Sequence, residues 1–266
     1  MVSVYNPTII KSVELYKSGF PSEFGGRIAS VLDVRSKDPD LNRYSGEVDI
    51  SLLSTKTALN IPVVKNSIGV SVAGRISNYS LINLVSIFTQ GSKIKLHFAD
   101  LNTSLLYKPT ERDEIKLSYF YNSDGMSITE KQEIITEQLD QNNRQQNLIM
   151  KWIRKLKENK INTLQIYGDE FKFNYGSNTK KGNPAEDSFY KIHSSISSYG
   201  IENQLNNKVS EKFGLQSGIS IKLYKFSPFN ISATDTTYVR AETKANTIET
   251  SINTQAKYSI SAANIL

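Results

Sequence analysis

The sequence predicts an all-β chain dominated by one long antiparallel sheet, and three observations carry that reading. Apolar residues recur at every second position in segment after segment, the period of a strand with one apolar and one polar face. The segments are joined by short polar turns that alternate with longer stretches rich in Gly, Ser and Asn. No run approaches the roughly 18 to 20 apolar residues that a membrane-crossing helix needs.

Taken in order, Val48, Ile50 and Leu52 alternate with Glu47, Asp49 and Ser51, and Ile68, Val70 and Val72 with Gly69, Ser71 and Ala73. Ile115, Leu117, Tyr119 and Tyr121 alternate with Lys116, Ser118, Phe120 and Asn122. Leu215, Ile219, Ile221 and Leu223 share a parity, as do Ile248, Ile252, Ala256 and Tyr258. The expected strands fall near 46–51, 55–61, 67–77, 96–108, 114–122, 146–157, 161–174, 196–206, 211–226 and 246–262. That is about ten in series, enough for one large antiparallel sheet.

The connections narrow the class. Short turns are expected near 62–66, 109–113, 158–160 and 206–210, with centres about 47 to 49 residues apart. Between them lie long polar stretches at 77–95, 122–144, 176–195 and 227–246. Short turns at one end and long loops at the other are the pattern of an outer-membrane β-barrel. Several strands exceed the roughly 9 to 11 residues that cross a bilayer, so they would project beyond it on the long-loop side. Tyr107, Trp152, Tyr167, Phe213 and Phe226 lie near strand ends, where interfacial girdles require aromatics. One segment supports a competing reading. Between 128 and 161, Ile135, Leu139, Ile149, Trp152, Ile153 and Leu156 with Lys151, Arg154, Lys155 and Lys157 could form a basic amphipathic helix. The loop spacing survives only if 145–157 is a strand with Leu148, Met150 and Trp152 facing outward.

Composition excludes several function classes. The 266-residue chain is 38% hydrophobic, with 32 basic against 26 acidic residues and a net charge of +6. It has no cysteine, which removes disulfide scaffolds, thiolate zinc sites and cysteine nucleophiles. His97 and His193 lie far apart with no carboxylate or second histidine at ligand spacing beside them, and read as strand or loop residues. The basic excess is small and scattered, which argues against nucleic acid as a partner. No nucleophile, acid–base pair, cofactor motif or metal constellation emerges, so an enzyme is the least expected class and no catalytic, cofactor or metal residue is assigned. The N-terminus, 1–7, lacks the basic, apolar and small-residue zones of a signal peptide.

The first 45 residues differ from the rest, with Pro, Gly and short apolar runs in place of long alternation. Within them, the stretch 13–34 carries Gly19-Phe20-Pro21-Ser22-Glu23-Phe24-Gly25-Gly26-Arg27, followed by the apolar segment Ile28-Ala29-Ser30-Val31-Leu32 and by Asp33-Val34-Arg35-Ser36-Lys37. This stretch resembles the C-terminal part of the plug domain of TonB-dependent outer-membrane receptors, most closely those of the Bacteroidetes type. Gly46 to Ser51 fits the family's first barrel strand. Asn60-Ile61-Pro62-Val63 resembles its Gly-Pro-Ile turn, with Asn60 and Ile61 standing where Glu and Gly are usual. Phe98-Ala99-Asp100-Leu101-Asn102 resembles the aromatic-x-Asp-x-Asn opening of a later strand. The specificity of the match is concentrated in residues 13–37. Independently, Gly25 and Gly26 permit positive φ and close backbone approach, and a buried Arg27 would need carboxylate partners.

The resemblance implies that 1–45 is the end of a plug and 46–266 the first part of a transmembrane barrel. It places the four short turns on the periplasmic side and the connection near 53–55 outside. The parent would be a receptor for active uptake of a large nutrient, such as a siderophore, a cobalamin-like molecule, a glycan or a peptide. Its partners would be the TonB complex, outer-membrane lipid, the transported ligand and a surface lipoprotein. Glu23, Phe24, Gly25, Gly26 and Arg27 are the expected plug motif, and Tyr79, Tyr175, Phe189, Tyr190 and Tyr238 the expected loop contacts to substrate. Ten strands at the curvature of a 22-stranded transporter do not close, so the expectation is a partial chain that neither inserts nor transports alone. Two alternatives stand beside it: a complete small barrel of porin or adhesin type whose first and last strands pair, and a soluble β-sheet binding protein with polar outer faces.

Overall fold

A computed structural model describes residues 6–19, 21–24, 30–78, 92–234 and 244–259. The described residues form two antiparallel sheets. The small one pairs β1 (Ile10–Tyr16) with β2 (Val31–Ser36). The large one contains ten strands in sequence order: β3 (Ser45–Ile50), β4 (Ser54–Val64), β5 (Ile68–Ser77), β6 (Ser92–Tyr107), β7 (Asp113–Gln132), β8 (Ile135–Lys157), β9 (Lys160–Lys180), β10 (Ser188–Lys208), β11 (Phe213–Ala233) and β12 (Ala245–Tyr258). Each expected strand has its counterpart. The sheet is an open meander with β3 and β12 at its two ends and no pairing between them. A barrel closed at ten strands is therefore not formed.

The segment 128–161, whose apolar stripe also fits a helix, is strand as the turn spacing requires, with β7 and β8 paired from Asp113↔Arg154 to Gln132↔Ile135. Long-range pairing on both sides of β8 overrides a local pattern that a helix could also have satisfied.

The long loops also need correction. The stretch expected as loop at 122–144 is almost wholly strand, closed by Glu133 and Ile134 with Glu133 at φ 38°. Likewise β9 runs to Lys180, β10 begins at Ser188, and β11 runs to Ala233. Runs within these stretches, Gln141 to Asn147 and Gly176 to Thr179 among them, are polar on both faces, which hides them from a search for apolar alternation, yet a backbone ladder needs no apolar side chain. At 23 residues β8 extends for about 75 Å, roughly twice the length of a membrane-crossing strand. The short turns stand close to their expected places, at 65–67, 108–112, 158–159 and 209–212.

A single-layer sheet has little interior. Among the described apolar residues Ala73 and Leu106, with Pro39 and Pro62, are the ones buried. The residues of one parity face the N-terminal unit and form the inner face; those of the other parity form an outer face on which none of the described elements packs. On the outer face register aligns Leu117, Met150, Ile166, Ile201 and Ile221 in one cross-strand row. The next row holds Tyr119, Leu148, Gly168, Tyr199, Leu223 and Ile248. Ile219 and Ile252, paired in the row on the other side, are 53% and 84% exposed. Tyr107, Trp152 and Phe213 share this outer parity, whereas Tyr167 and Phe226 have the inner parity and are removed from any lipid-facing girdle.

Candidate functional site

The site is the inner face and the unit seated on it. In that unit, Lys37 Nζ donates to the Thr8 carbonyl at 2.8 Å and closes the β1–β2 pair. Tyr16 and Phe24 bring their rings to 5.9 Å. The Tyr16 hydroxyl donates to Glu14 at 2.5 Å, which pushes the phenol above its usual pKa range. Asp33 holds Arg35 at 2.7 Å and raises the guanidinium further above its usual range.

A strap, residues 37–44, then leads to the sheet. Asn60 clamps it: its Oδ1 accepts from Asp40 N–H at 2.8 Å, and its Nδ2 donates to the carbonyls of Asp40 and Arg43 at 3.0 and 2.8 Å. Gly69 leaves room for the crossing, since a Cβ there would lie 3.0–3.1 Å from Leu41, Asp40 and Pro39. Asn60 thus has a structural task of its own, fastening the strap to β4.

Two further contacts seat the unit. Gln216 Nε2 donates to Glu23 at 3.0 Å, and Lys116 Nζ pairs with Asp38 at 2.7 Å and with Glu114 at 3.0 Å. Between unit and wall lies a cavity of about 1080 Å³ lined by charged groups from both, including Asp33, Lys116, Lys151, Glu202 and Lys222. Lys222 bridges Glu202 at 3.1 Å and Glu249 at 3.9 Å. Further toward the sheet's first edge, Arg75 and Asp100 form an ion pair at 2.5 Å with side chains 5% and 0% exposed. Arg75 also lies 5.0 Å from the Phe98 ring centroid, and Asn102 Nδ2 approaches Asp100 at 3.4 Å. Tyr167 covers Gly200 across the β9–β10 pair, where a Cβ would come within 2.4 Å of its ring.

Farther from the short turns the inner face changes character. Gln141, Asn143, Gln145 and Asn147 form a column of amides on β8. Beside it on β9 stand Asp169, Phe171, Phe173 and Tyr175, paired in register as Asn147↔Asp169, Gln145↔Phe171, Asn143↔Phe173 and Gln141↔Tyr175. Asn143 Nδ2 donates to Asp124 of β7 at 2.9 Å, and Ser198 of β10 donates to Asp169.

Of the expected substrate contacts, Tyr175 lies within β9 and Phe189 and Tyr190 at the start of β10, so these three are strand rather than loop residues. Tyr175 and Tyr190 share the inner face, with Tyr175 opposite Ile192 and Tyr190 opposite Ser177. Phe189 has the outer parity and carries Lys191 Nζ at 5.4 Å over its ring. Tyr79 and Tyr238 lie outside the described residues, as do Gly25, Gly26 and Arg27 of the expected plug motif. Glu23 and Phe24 form a short 3-10 turn, Ser22–Phe24. The amide and aromatic columns were missed by sequence reasoning. Their signal was present as Gln141-x-Asn143-x-Gln145-x-Asn147 and Phe171-x-Phe173-x-Tyr175, a period-2 pattern of polar and aromatic residues.

His97 packs against Gly125, and His193 Nδ1 meets Asn174 at 2.6 Å. No group of three potential metal ligands occurs among the described residues. The inner face is equipped to bind and orient: it offers flat apolar rings beside amides that both donate and accept.

No protein-family model matches the sequence, and no curated protein does. Among solved structures the chain is similar to the ferric yersiniabactin uptake receptor FyuA from Yersinia pestis, at 9% identity and a TM-score of 0.46, over 86% of this chain and 45% of that one. It is also similar to the ferric citrate transporter FecA in its unliganded form, at 5% identity and a TM-score of 0.45, over 88% of this chain and 36% of that one. The chain thus spans less than half the length of either structure.

Proposed function

We propose that this chain supplies the end of the plug and the first ten barrel strands of a TonB-dependent outer-membrane receptor for active nutrient uptake. The observation that carries the reading is the ten-stranded open sheet with a bare apolar outer face and an N-terminal unit seated on its inner face through Glu23, Asp38 and Asn60. Lipid is the solvent that such an outer face requires, since a row of exposed Leu, Met and Ile across five strands would associate nonspecifically in water. The soluble alternative needs polar outer faces, and Leu117, Ile219, Ile221 and Ile252 stand on that surface at 41%, 53%, 49% and 84% exposure.

The bare edges of β3 and β12 are the second consideration. Backbone groups at an edge cannot remain unpaired in hydrocarbon, so the working receptor requires further strands to close around the unit. Its work would be mechanical: force on the plug shifts the balance between two states of different ligand affinity, without bond chemistry. The test is the DNA on either side of this reading frame. Further plug sequence upstream and about a dozen more strands downstream are expected, by the strand count of such transporters. Flanking DNA that encodes neither, or stable single-channel conductance from a detergent-extracted monomer of this chain alone, contradicts the proposal.

A further inference from the structure

We infer that the inner face of β7 to β10, beyond Asp169, binds a neutral, hydroxyl-rich ligand of the oligosaccharide class. This rests on the receptor reading above and adds the chemistry of what is taken up. The first ground is the pairing of columns. Phe171, Phe173 and Tyr175 point to one face at every second position of β9, so their rings form a continuous apolar strip about 13 Å long. That is long enough for more than one sugar ring. Pyranose rings present flat C–H faces that lie against aromatic rings, and hydroxyls around the rim that need partners able both to donate and to accept. Gln141, Asn143 and Gln145 stand directly opposite those three rings and supply such groups. Phe171 is 40% exposed, so the strip is open to an incoming molecule.

The second ground is charge. On this face of β7 to β10, among the described residues beyond Asp169, the ionisable side chains are carboxylates. Asp124 anchors Asn143 at 2.9 Å, and Glu130 stands opposite Glu137 in the β7–β8 register. In the same stretch of these strands the cations have the outer parity: Arg144 and Lys172 stand opposite each other in register there, and Lys172 pairs with Glu170 at 2.8 Å. A negatively charged chelate would meet repulsion with no arginine or lysine to offset it. A neutral polyol meets none, and Asp124 and Asp169 add acceptors for its hydroxyls. Asp124 and Ser198 also bond to Asn143 and Asp169 respectively, which fixes the orientation of groups in the strip before a ligand arrives.

The experiment is saturation-transfer NMR and calorimetry on the full chain folded in detergent micelles. The probes are neutral malto-, cello- and manno-hexaose, ferric citrate, and a neutral hexapeptide. One or more of the hexaoses is expected to bind, and ferric citrate is not. Phe171→Ala is expected to weaken the bound sugar about tenfold, the loss of one stacked aromatic contact, and Phe171→Tyr to keep it. Asn143→Leu should weaken it as well, whereas Lys172→Ala on the outer face should leave it unchanged. Folding of each variant is checked by the β-sheet circular dichroism signal, and Phe171→Tyr with Lys172→Ala keeps the test valid if Phe171→Ala misfolds. Binding of ferric citrate or the peptide in place of the sugars, or binding of no probe by the folded chain, overturns the inference and leaves the receptor reading standing. That reading fails separately, on the flanking DNA.

Discussion

The two faces of the ten-stranded sheet are made from the same strands and differ in almost every physical respect. The outer face presents Leu117, Met150, Ile166, Ile201 and Ile221 side by side, between 41% and 49% exposed among the described residues. The inner face carries lysines, carboxylates, amides and aromatic rings, most of them engaged with one another or with the N-terminal unit. A soluble protein arranges its faces the other way, with apolar residues packed and polar ones exposed. The inversion supports the receptor proposed above, in which the outer face would meet hydrocarbon and the inner face a wet lumen. Each substitution below probes one face against the other.

The largest effect is expected at the buried inner-face pair. Asp100→Asn removes the carboxylate charge beside the buried Arg75 and should cost about 3–5 kcal/mol, while the double change to Arg75→Met and Asp100→Leu should recover much of that. Urea unfolding of the chain in detergent reads both. Next comes a charge on the outer face. Met150→Arg should destabilise the sheet in lipid-containing bicelles by about 2–4 kcal/mol. Gln145→Arg, five residues away with the inner parity, should cost about 0.5 kcal/mol or less.

A smaller difference is expected at two glycines paired with tyrosines on opposite faces. A Cβ at Gly200 would lie 2.4 Å from the Tyr167 ring, and one at Gly168 would lie 3.2 Å from the Tyr199 ring. Gly200→Ala should cost roughly 1–3 kcal/mol and Gly168→Ala clearly less, because Tyr199 is half exposed and free to move aside. Smallest is Trp152→Phe, which removes a 2.9 Å hydrogen bond from the indole N–H to Asp113. About 1 kcal/mol is expected in the same unfolding measurement.

Much of this organisation was legible in the sequence because an antiparallel sheet writes its two environments into alternate positions. The four short turns were legible for the same reason, since each interrupts an apolar alternation such as that of Leu117 or Ile219. The extended ends of β7 to β11 were not. There Gln141 to Asn147 and Gly176 to Thr179 are polar on both faces, and only the partner strand, which a linear reading does not see, holds them as strand. The inner-face site was hidden by the same fact. Tyr175 and Tyr190 were singled out as aromatics in supposed loops, but their relation to Gln141 and Phe173 exists only once β8, β9 and β10 are in register. The segment 128–161 shows the limit from the other side, because Ile149, Trp152 and Ile153 fit a helical stripe as well as a strand.

The central claim, that one face meets lipid and the other water, is tested most directly along β11. The native chain has no cysteine, so single cysteines can be placed at each position from 215 to 223 and labelled with a nitroxide in bicelles. Collision with dissolved oxygen, which concentrates in hydrocarbon, should be high at 215, 217, 219, 221 and 223. Collision with a water-soluble nickel reagent should be high at 216, 218, 220 and 222. Strict two-residue alternation of the two signals in opposite phase is the predicted result. Equal access of the nickel reagent to both parities contradicts the account.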